Sequence, residues 1–157
     1  MSVNMTAVAQ AIVDAGVTET KEWLRIETAS DAATLDALVR AAIGMAEDFC
    51  GQMMFARAGV EVLALGYEWT RLRACPVSAI TNARALASDG TATALAVGTY
   101  STDISGDGDG WVRVIASRTE TRLELDIIAG IAADWPSLSD SLRQGIVRLA
   151  AHLFTER

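Results

Sequence analysis

The chain has 157 residues and a mass of 16.6 kDa, with 51% hydrophobic and 21% charged residues, which fits one folded domain and excludes both intrinsic disorder and a large two-domain enzyme. Its longest runs without a charged residue, 1–13 and 90–102, fall short of the roughly 18 residues that a membrane-spanning helix needs. A formal charge of −7, from 13 Lys+Arg against 20 Asp+Glu, argues against an electrostatic grip on nucleic-acid phosphates.

Residues 1–16 are weakly patterned, with Ala7, Ala9, Ala11, Ile12 and Val13 able to form a short helix that ends near Gly16. No Lys or Arg precedes Lys21 and Asp14 is present, so the segment lacks the basic start of a secretory signal and synthesis is expected in the cytoplasm. Thr18 is the expected cap of a second helix through Arg25, with Glu19 and Glu22 at the positive end of its dipole and Trp23, Leu24 and Ile26 as apolar anchors. After a polar break at 27–30, Ser30 or Asp31 caps the most strongly patterned helix. There Leu35, Leu38, Val39, Ala42, Ile43, Ala46, Phe49, Cys50 and Met53 share one apolar arc. Asp36, Arg40, Glu47 and Asp48 take the other side, and Asp36 with Arg40 forms an i,i+4 pair of opposite charge.

From residue 60 to 129 the hydrophobic period changes to two. Strands are predicted at 60–65, 67–73, 77–86, 95–104, 111–116 and 121–128, with Pro76 breaking the ladder and Ser88-Asp89-Gly90-Thr91 making a turn. A last amphipathic helix spans 137–155, with Ser137 as cap, Asp140 three residues on, and Leu138, Leu142, Ile146, Leu149, Ala150 and Leu153 on one face. Helices over 18–53, strands over 60–129 and a closing helix give an α+β fold. The expected organisation is an N-terminal arm, 1–17, and a single domain, 18–157.

A search for chemistry yields no catalytic, cofactor or metal residues. His152 is the only histidine, which removes His-pair and multi-His zinc mechanisms, and it reads as a surface or interface group. Cys50 and Cys75 read as buried free thiols, and a buried thiol is a poor nucleophile. Nucleophile-elbow, phosphate-loop and dinucleotide-binding signatures are absent. Residues 103–110, with Asp103, Asp107 and Asp109, mimic a calcium loop, but Val114 stands where the bidentate Glu belongs, so the segment reads as an acidic hairpin tip suited to contacts. Trp23, Trp69, Trp111 and Trp135, one per element, read as core or interface anchors.

Three stretches together resemble the head–tail connector, or adaptor, proteins of tailed phages and phage-like gene transfer agents. Glu19-Thr20-Lys21-Glu22-Trp23-Leu24-Arg25-Ile26 is similar to that family's opening helix, and the run from Ala41-Ala42 to Phe49-Cys50-Gly51 to its second. Pro76-Val77-Ser78-Ala79-Ile80-Thr81, the Asp89-Gly90 turn and Tyr100-Ser101-Thr102-Asp103 resemble its β segment. Trp135-Pro136-Ser137-Leu138 through Leu142-Arg143-Gln144-Gly145-Ile146-Val147-Arg148-Leu149-Ala150-Ala151-His152-Leu153-Phe154 is similar to its closing helix. The resemblance implies a non-enzymatic homo-oligomer, a dodecameric ring at the head–tail junction, bound to the portal protein on one side and to a stopper or tail-completion protein on the other. DNA would pass through its lumen without specific binding, and no membrane or cofactor is involved. Under that reading Asp103, Asp107, Asp109, Trp111, Arg143, Arg148 and His152 are the candidate interface residues. Two alternatives stay open at this point: a small enzyme using the Asp107 and Asp109 carboxylates near Tyr100, and a module whose sheet captures a peptide or small ligand.

Overall fold

The computed structural model describes residues 1–27 and 30–156, so part of the break at 27–30, and Arg157, lie outside the described residues. Among the described residues the chain forms, in order, β1 (Ser2–Met5), α1 (Gln10–Leu24), α2 (Ala32–Cys50), β2 (Arg57–Ala64), β3 (Thr70–Arg71), β4 (Val77–Leu86), β5 (Ala92–Ala94), β6 (Tyr100–Ile104), β7 (Gly110–Val114), β8 (Arg122–Ala129) and α3 (Asp140–Thr155). The fold is α+β, with antiparallel strands β2–β8 between α2 and α3 and β1 ahead of α1. Contacts group the residues into two compact units that are each discontinuous in sequence: a sheet unit of Met1–Thr6 and Ala56–Gly130, and a helical unit of Ala7–Phe55 and the segment from Ile131 onward. The N-terminal 17 residues are therefore shared between the two.

In the sheet unit, a five-stranded antiparallel sheet runs in the order β1-β2-β8-β4-β5, and a three-stranded one in the order β3-β7-β6. The last strand of the chain to form, β8, sits at the centre because its alternation suits two neighbours: Leu123, Leu125, Ile127 and Ala129 are buried on one face. Each leucine or isoleucine so placed is worth about 1.5–3 kcal/mol of apolar burial. On the opposite face Glu124 and Asp126 meet Arg84 of β4, whose guanidinium bonds Glu124 at 2.7 Å and Asp126 at 2.8 and 2.5 Å, while Asn82 adds a bond to Asp126 at 2.9 Å. The edge strand β1 is an element the sequence reading placed in no strand, since four residues, alternately exposed and half-buried, carry too short a pattern. It docks because Gly59 leaves room: a Cβ there would lie 2.2 Å from Met5 Sδ.

One residue breaks the apolar rule of the buried face. Glu61 of β2 sits opposite Leu125 and is fully buried, and its carboxylate accepts the backbone N–H of Arg73 at 2.7 Å and of Ala74 at 3.2 Å. A buried carboxylate survives when it is hydrogen-bonded in this way. It ties β2 to the bend that leads into the cis Cys75–Pro76 peptide and β4. That bend also explains why the strand expected over 67–73 contracts to Thr70–Arg71. Of the strand expected over 95–104 only β6, Tyr100–Ile104, forms, because Gly98, at a φ of +89°, turns the chain just before it; β5 lies upstream of the expected range. The expected Asp89-Gly90 turn is present, with Gly90 at a φ of +88° and the Asp89 carboxylate accepting the Thr91 N–H at 2.8 Å.

The helical unit packs α1, α2 and α3 around Val13, Val39, Ala42, Ile43, Met54, Phe55, Trp135, Leu138, Ile146 and Ala150, with the Phe55 and Trp135 rings stacked at 5.8 Å. Where the sequence suggests two short helices divided at Gly16, a single helix runs through it. A Cβ at Gly16 would lie 2.9 Å from Val39 Cγ1 and 3.1 Å from the Trp135 ring, so the glycine serves close packing instead of a break. Thr18 consequently does not cap: its hydroxyl donates back to the Asp14 carbonyl at 2.9 Å. Asp36 and Arg40 do pair, at 2.9 Å, and Gln10 of α1 joins both, accepting from Arg40 at 2.5 Å and donating to Asp36 at 2.6 Å.

Four further expectations are corrected here. Glu47 is buried, not on the polar side of α2, and accepts the Met54 N–H at 2.9 Å. Phe49 and Cys50 are exposed instead of core, because α2 stops at Gly51, whose φ of +66° turns the chain away before those side chains find neighbours. Cys75 is half-buried, so neither cysteine thiol is fully enclosed. Finally, α3 begins at Asp140 with Ser139 as its N-cap residue, because the Ser137 N–H and hydroxyl are both taken by the Asp134 carboxylate.

Candidate partner-binding surfaces

The acidic tip predicted at 103–110 is the β6–β7 hairpin. Its turn is closed by Ser105 N–H donating to the Asp109 carbonyl and Gly108 N–H donating to the Ser105 carbonyl, both at 2.9 Å. The Val77 N–H donates to the Gly108 carbonyl at 2.7 Å, tying the tip to β4. Asp103 is exposed directly across from half-buried Trp111, and Asp107 stands exposed at the turn. Asp109 differs from both: its carboxylate accepts from Arg71 at 2.5 Å and lies 3.7 Å from Cys75 Sγ. The Asp109 carboxylate holds the Arg71 guanidinium above its ordinary pKa. Asp109 therefore fastens the hairpin to β3, while Asp103 and Asp107 face solvent.

The cross-strand rows of the small sheet place a further group of side chains on one face. Val112 and Val114 are buried, so the alternating Trp111, Arg113 and Ile115 point the other way, with Arg71 paired to Trp111. The Arg113 guanidinium lies over the exposed Trp69 ring, 4.8 Å from its centroid, and exposed Tyr67 accepts the Arg118 N–H at 3.1 Å. Trp69 is one of the tryptophans expected as core or interface anchors, whereas Tyr67, Arg113 and Ile115 escaped the sequence reading. The alternation through 111–115 was the available signal, with two buried valines separating three outward residues.

In the helical unit, Arg148 and His152 are exposed one turn apart on α3. Arg148 stacks on the half-exposed Trp23 of α1 with 5.0 Å to the ring centroid. Arg143 is held within the unit by Glu19 at 3.9 Å and by Asp140, and its Nε is buried without a hydrogen-bond partner. The candidates thus separate into a hairpin set, Asp103, Asp107, Asp109 and Trp111, and an α3 set, Arg143, Arg148 and His152, one in each unit. A third feature is the exposed end of α2, where Met45 and Phe49 stand one turn apart and Phe49 is 93% exposed.

Among the described residues no group of three or more His, Cys, Asp or Glu is arranged to hold a metal ion, and no helix is long and apolar enough to cross a membrane. An open groove of about 490 Å3 lies beside β1, lined by Met5, Ala58, Val60, Thr81, Asp126 and Ile128.

No protein-family profile and no curated protein sequence matches the chain. Solved structures do. A chain from the virion of a native gene transfer agent particle is similar over 99% of this chain and 84% of its own length, with a TM-score of 0.79 and 26% identity. Chains from the neck of an empty gene transfer agent particle, computed with sixfold symmetry, and from the neck of a native one, computed with twelvefold symmetry, give TM-scores of 0.79 and 0.76 at 23% and 24% identity with the same coverage. The three-dimensional fold thus agrees with the connector resemblance carried by the motifs: over almost its whole length this chain is similar to a component of the gene transfer agent neck.

Proposed function

We propose that the chain is a structural subunit of a phage-like particle, an adaptor at the head–tail junction that assembles into a ring joining portal to tail and through which DNA passes. The observation that carries the reading is the full-length likeness to neck and virion chains, at a TM-score of 0.79 and up to 26% identity. Of its finer parts, a ring of twelve copies is supported by the twelvefold symmetry used for one similar neck, while a portal on one side and a stopper or tail-completion protein on the other rest on the motif resemblance to connector proteins. Twelve copies of a −7 subunit carry roughly −84, and a negatively charged lumen lets polyanionic DNA slide instead of adhering. A chain with 51% hydrophobic residues and exposed Trp23, Trp69, Tyr67 and Phe49 has the means to bury apolar surface between copies. In this role the chain works by assembly, and its exposed acidic and basic side chains serve docking.

The test is deletion of the gene from a producing strain, followed by electron microscopy and mass spectrometry of the released particles. The reading expects the chain in purified wild-type particles at a fixed copy number relative to portal, and filled heads without tails in the deletion strain. Intact tailed particles from that strain would overturn it.

A further inference from the structure

A closed ring of identical subunits is built from a heterologous contact, in which one surface of a copy meets a different surface of the next. Two surfaces of this chain are unlike and complementary. The first is a socket: the outward face of the small sheet, where Trp69, Tyr67 and Ile115 are all at least two-fifths exposed around Arg113. Trp, Tyr and Arg are the residue types that dominate protein-interface energetics. Among the described residues Arg113 has no carboxylate partner; its guanidinium rests on the Trp69 ring alone. The second is a knob: Phe49 at the end of α2, 93% exposed, with exposed Met45 one turn before it and exposed Asp48 beside it. Asp48 has no ion-pair partner among the described residues either. An aromatic ring next to a free carboxylate is the complement of an aromatic floor around a free cation, and both surfaces are on every copy.

Resting on the neck reading above, we propose that this chain packs head to tail against a second copy of itself, with Phe49 and Asp48 of one copy seated on the small-sheet face of the next against Trp69, Arg113 and Ile115. The Asp48 carboxylate then meets the Arg113 guanidinium, and the Phe49 ring covers the apolar area that Trp69 and Ile115 leave in water. Met45 and the exposed Ala41 one turn earlier continue the apolar ridge, and the small side chain lets the neighbouring backbone come close.

The exposed Cys50 thiol beside the knob supplies a native reporter. In a producing strain, I115C is introduced together with C75S, and purified particles are treated with a short bismaleimide. The expected result is a ladder of cross-linked multimers of this chain that disappears when C50S is added. Separately, D48R and R113D should each cause at least a tenfold loss of the chain from particles, and the double variant D48R/R113D should restore it; circular dichroism of each purified variant confirms that the fold persists. If the chain is present in particles yet forms no ladder, or if both single reversals enter particles like the wild type, the contact is wrong while the neck reading stands. Absence of the wild-type chain from purified particles would overturn both.

Discussion

Glu61 is where the stability of the sheet unit is most exposed to a single atom. The change Glu61→Gln keeps volume and shape but replaces one acceptor oxygen by an NH2 group. One of the two N–H donors now served, Arg73 at 2.7 Å or Ala74 at 3.2 Å, is then left facing another donor. Losing a hydrogen bond to a charged acceptor costs roughly 1.5–3 kcal/mol, and the stranded buried N–H belongs to the same range. Against this stands the relief of removing a buried charge, whose desolvation is itself several kcal/mol when unpaired but is compensated here by the two bonds. The hydrogen-bond loss wins, giving a net destabilisation of about 1.5–3 kcal/mol. For a chain of this size each kcal/mol lowers the melting temperature by about 2–4 °C, so a drop of about 3–12 °C is expected. Urea titration followed by circular dichroism at neutral pH should show a lower midpoint with an unchanged slope. A Gln variant as stable as the wild type, or more stable, would refute the reasoning by showing that desolvation of the carboxylate outweighs its two bonds.

Other outcomes follow from the same accounting. Gly16→Ala gains about 1 kcal/mol in helix propensity, but its Cβ would sit 2.9 Å from Val39 and 3.1 Å from Trp135, an overlap that costs about 1–3 kcal/mol; calorimetry should show a net loss of up to about 2 kcal/mol. Hydrogen bonds from Arg84 hold the Asp126 carboxyl below its ordinary value of 3.8, so the stability this pair contributes is present above that pH and is lost as pH falls through the lower, folded-state value. Urea midpoints of wild type and Arg84→Met should therefore differ at pH 7 and converge as the pH is taken below 3.8; a gap independent of pH would refute the assignment. Asp107→Arg at the hairpin turn and Arg148→Glu on α3 should each reduce incorporation into particles while leaving the melting temperature within about 2 °C of wild type, since both side chains are exposed. Wild-type incorporation of both variants would remove these residues from the interfaces.

Much of the fold was legible because its signals are local. The alternation that buries Leu123, Leu125 and Ile127 and the four-residue steps of Val39, Ile43, Ile146 and Ala150 are properties of neighbouring residues, and both produced the expected elements. The readings that failed depend on how the chain folds back beyond the helical or strand period. Gly16 looks like a helix stop until Trp135, 119 positions later, is found filling the space above it. Glu47 looks solvated until the chain beyond Gly51 returns its Met54 N–H to the carboxylate. Phe49 obeys the apolar period of α2, yet helical phase alone does not say how far along a helix its packing partners extend. For the surfaces, charge on the β6–β7 hairpin was visible at Asp103 and Asp107, whereas Trp69 and Arg113 come together only through the pairing of β3 with β7.

The strand order has a consequence for biosynthesis. Because β8 is the middle of the β1-β2-β8-β4-β5 sheet, a nascent chain carrying β1 through β7 has its flanking strands but no centre to pair them with. The helical unit waits longer still, since Phe55 and Val13 reach their full packing only when Trp135 and α3 have been made. Contacts of such wide sequence separation form slowly. The sheet unit, which ends at Gly130, can close once β8 has been made, whereas a chain terminated before α3 lacks the packed surfaces of the helical unit. A copy that presents packed helical surfaces is therefore one in which translation has already passed through α3.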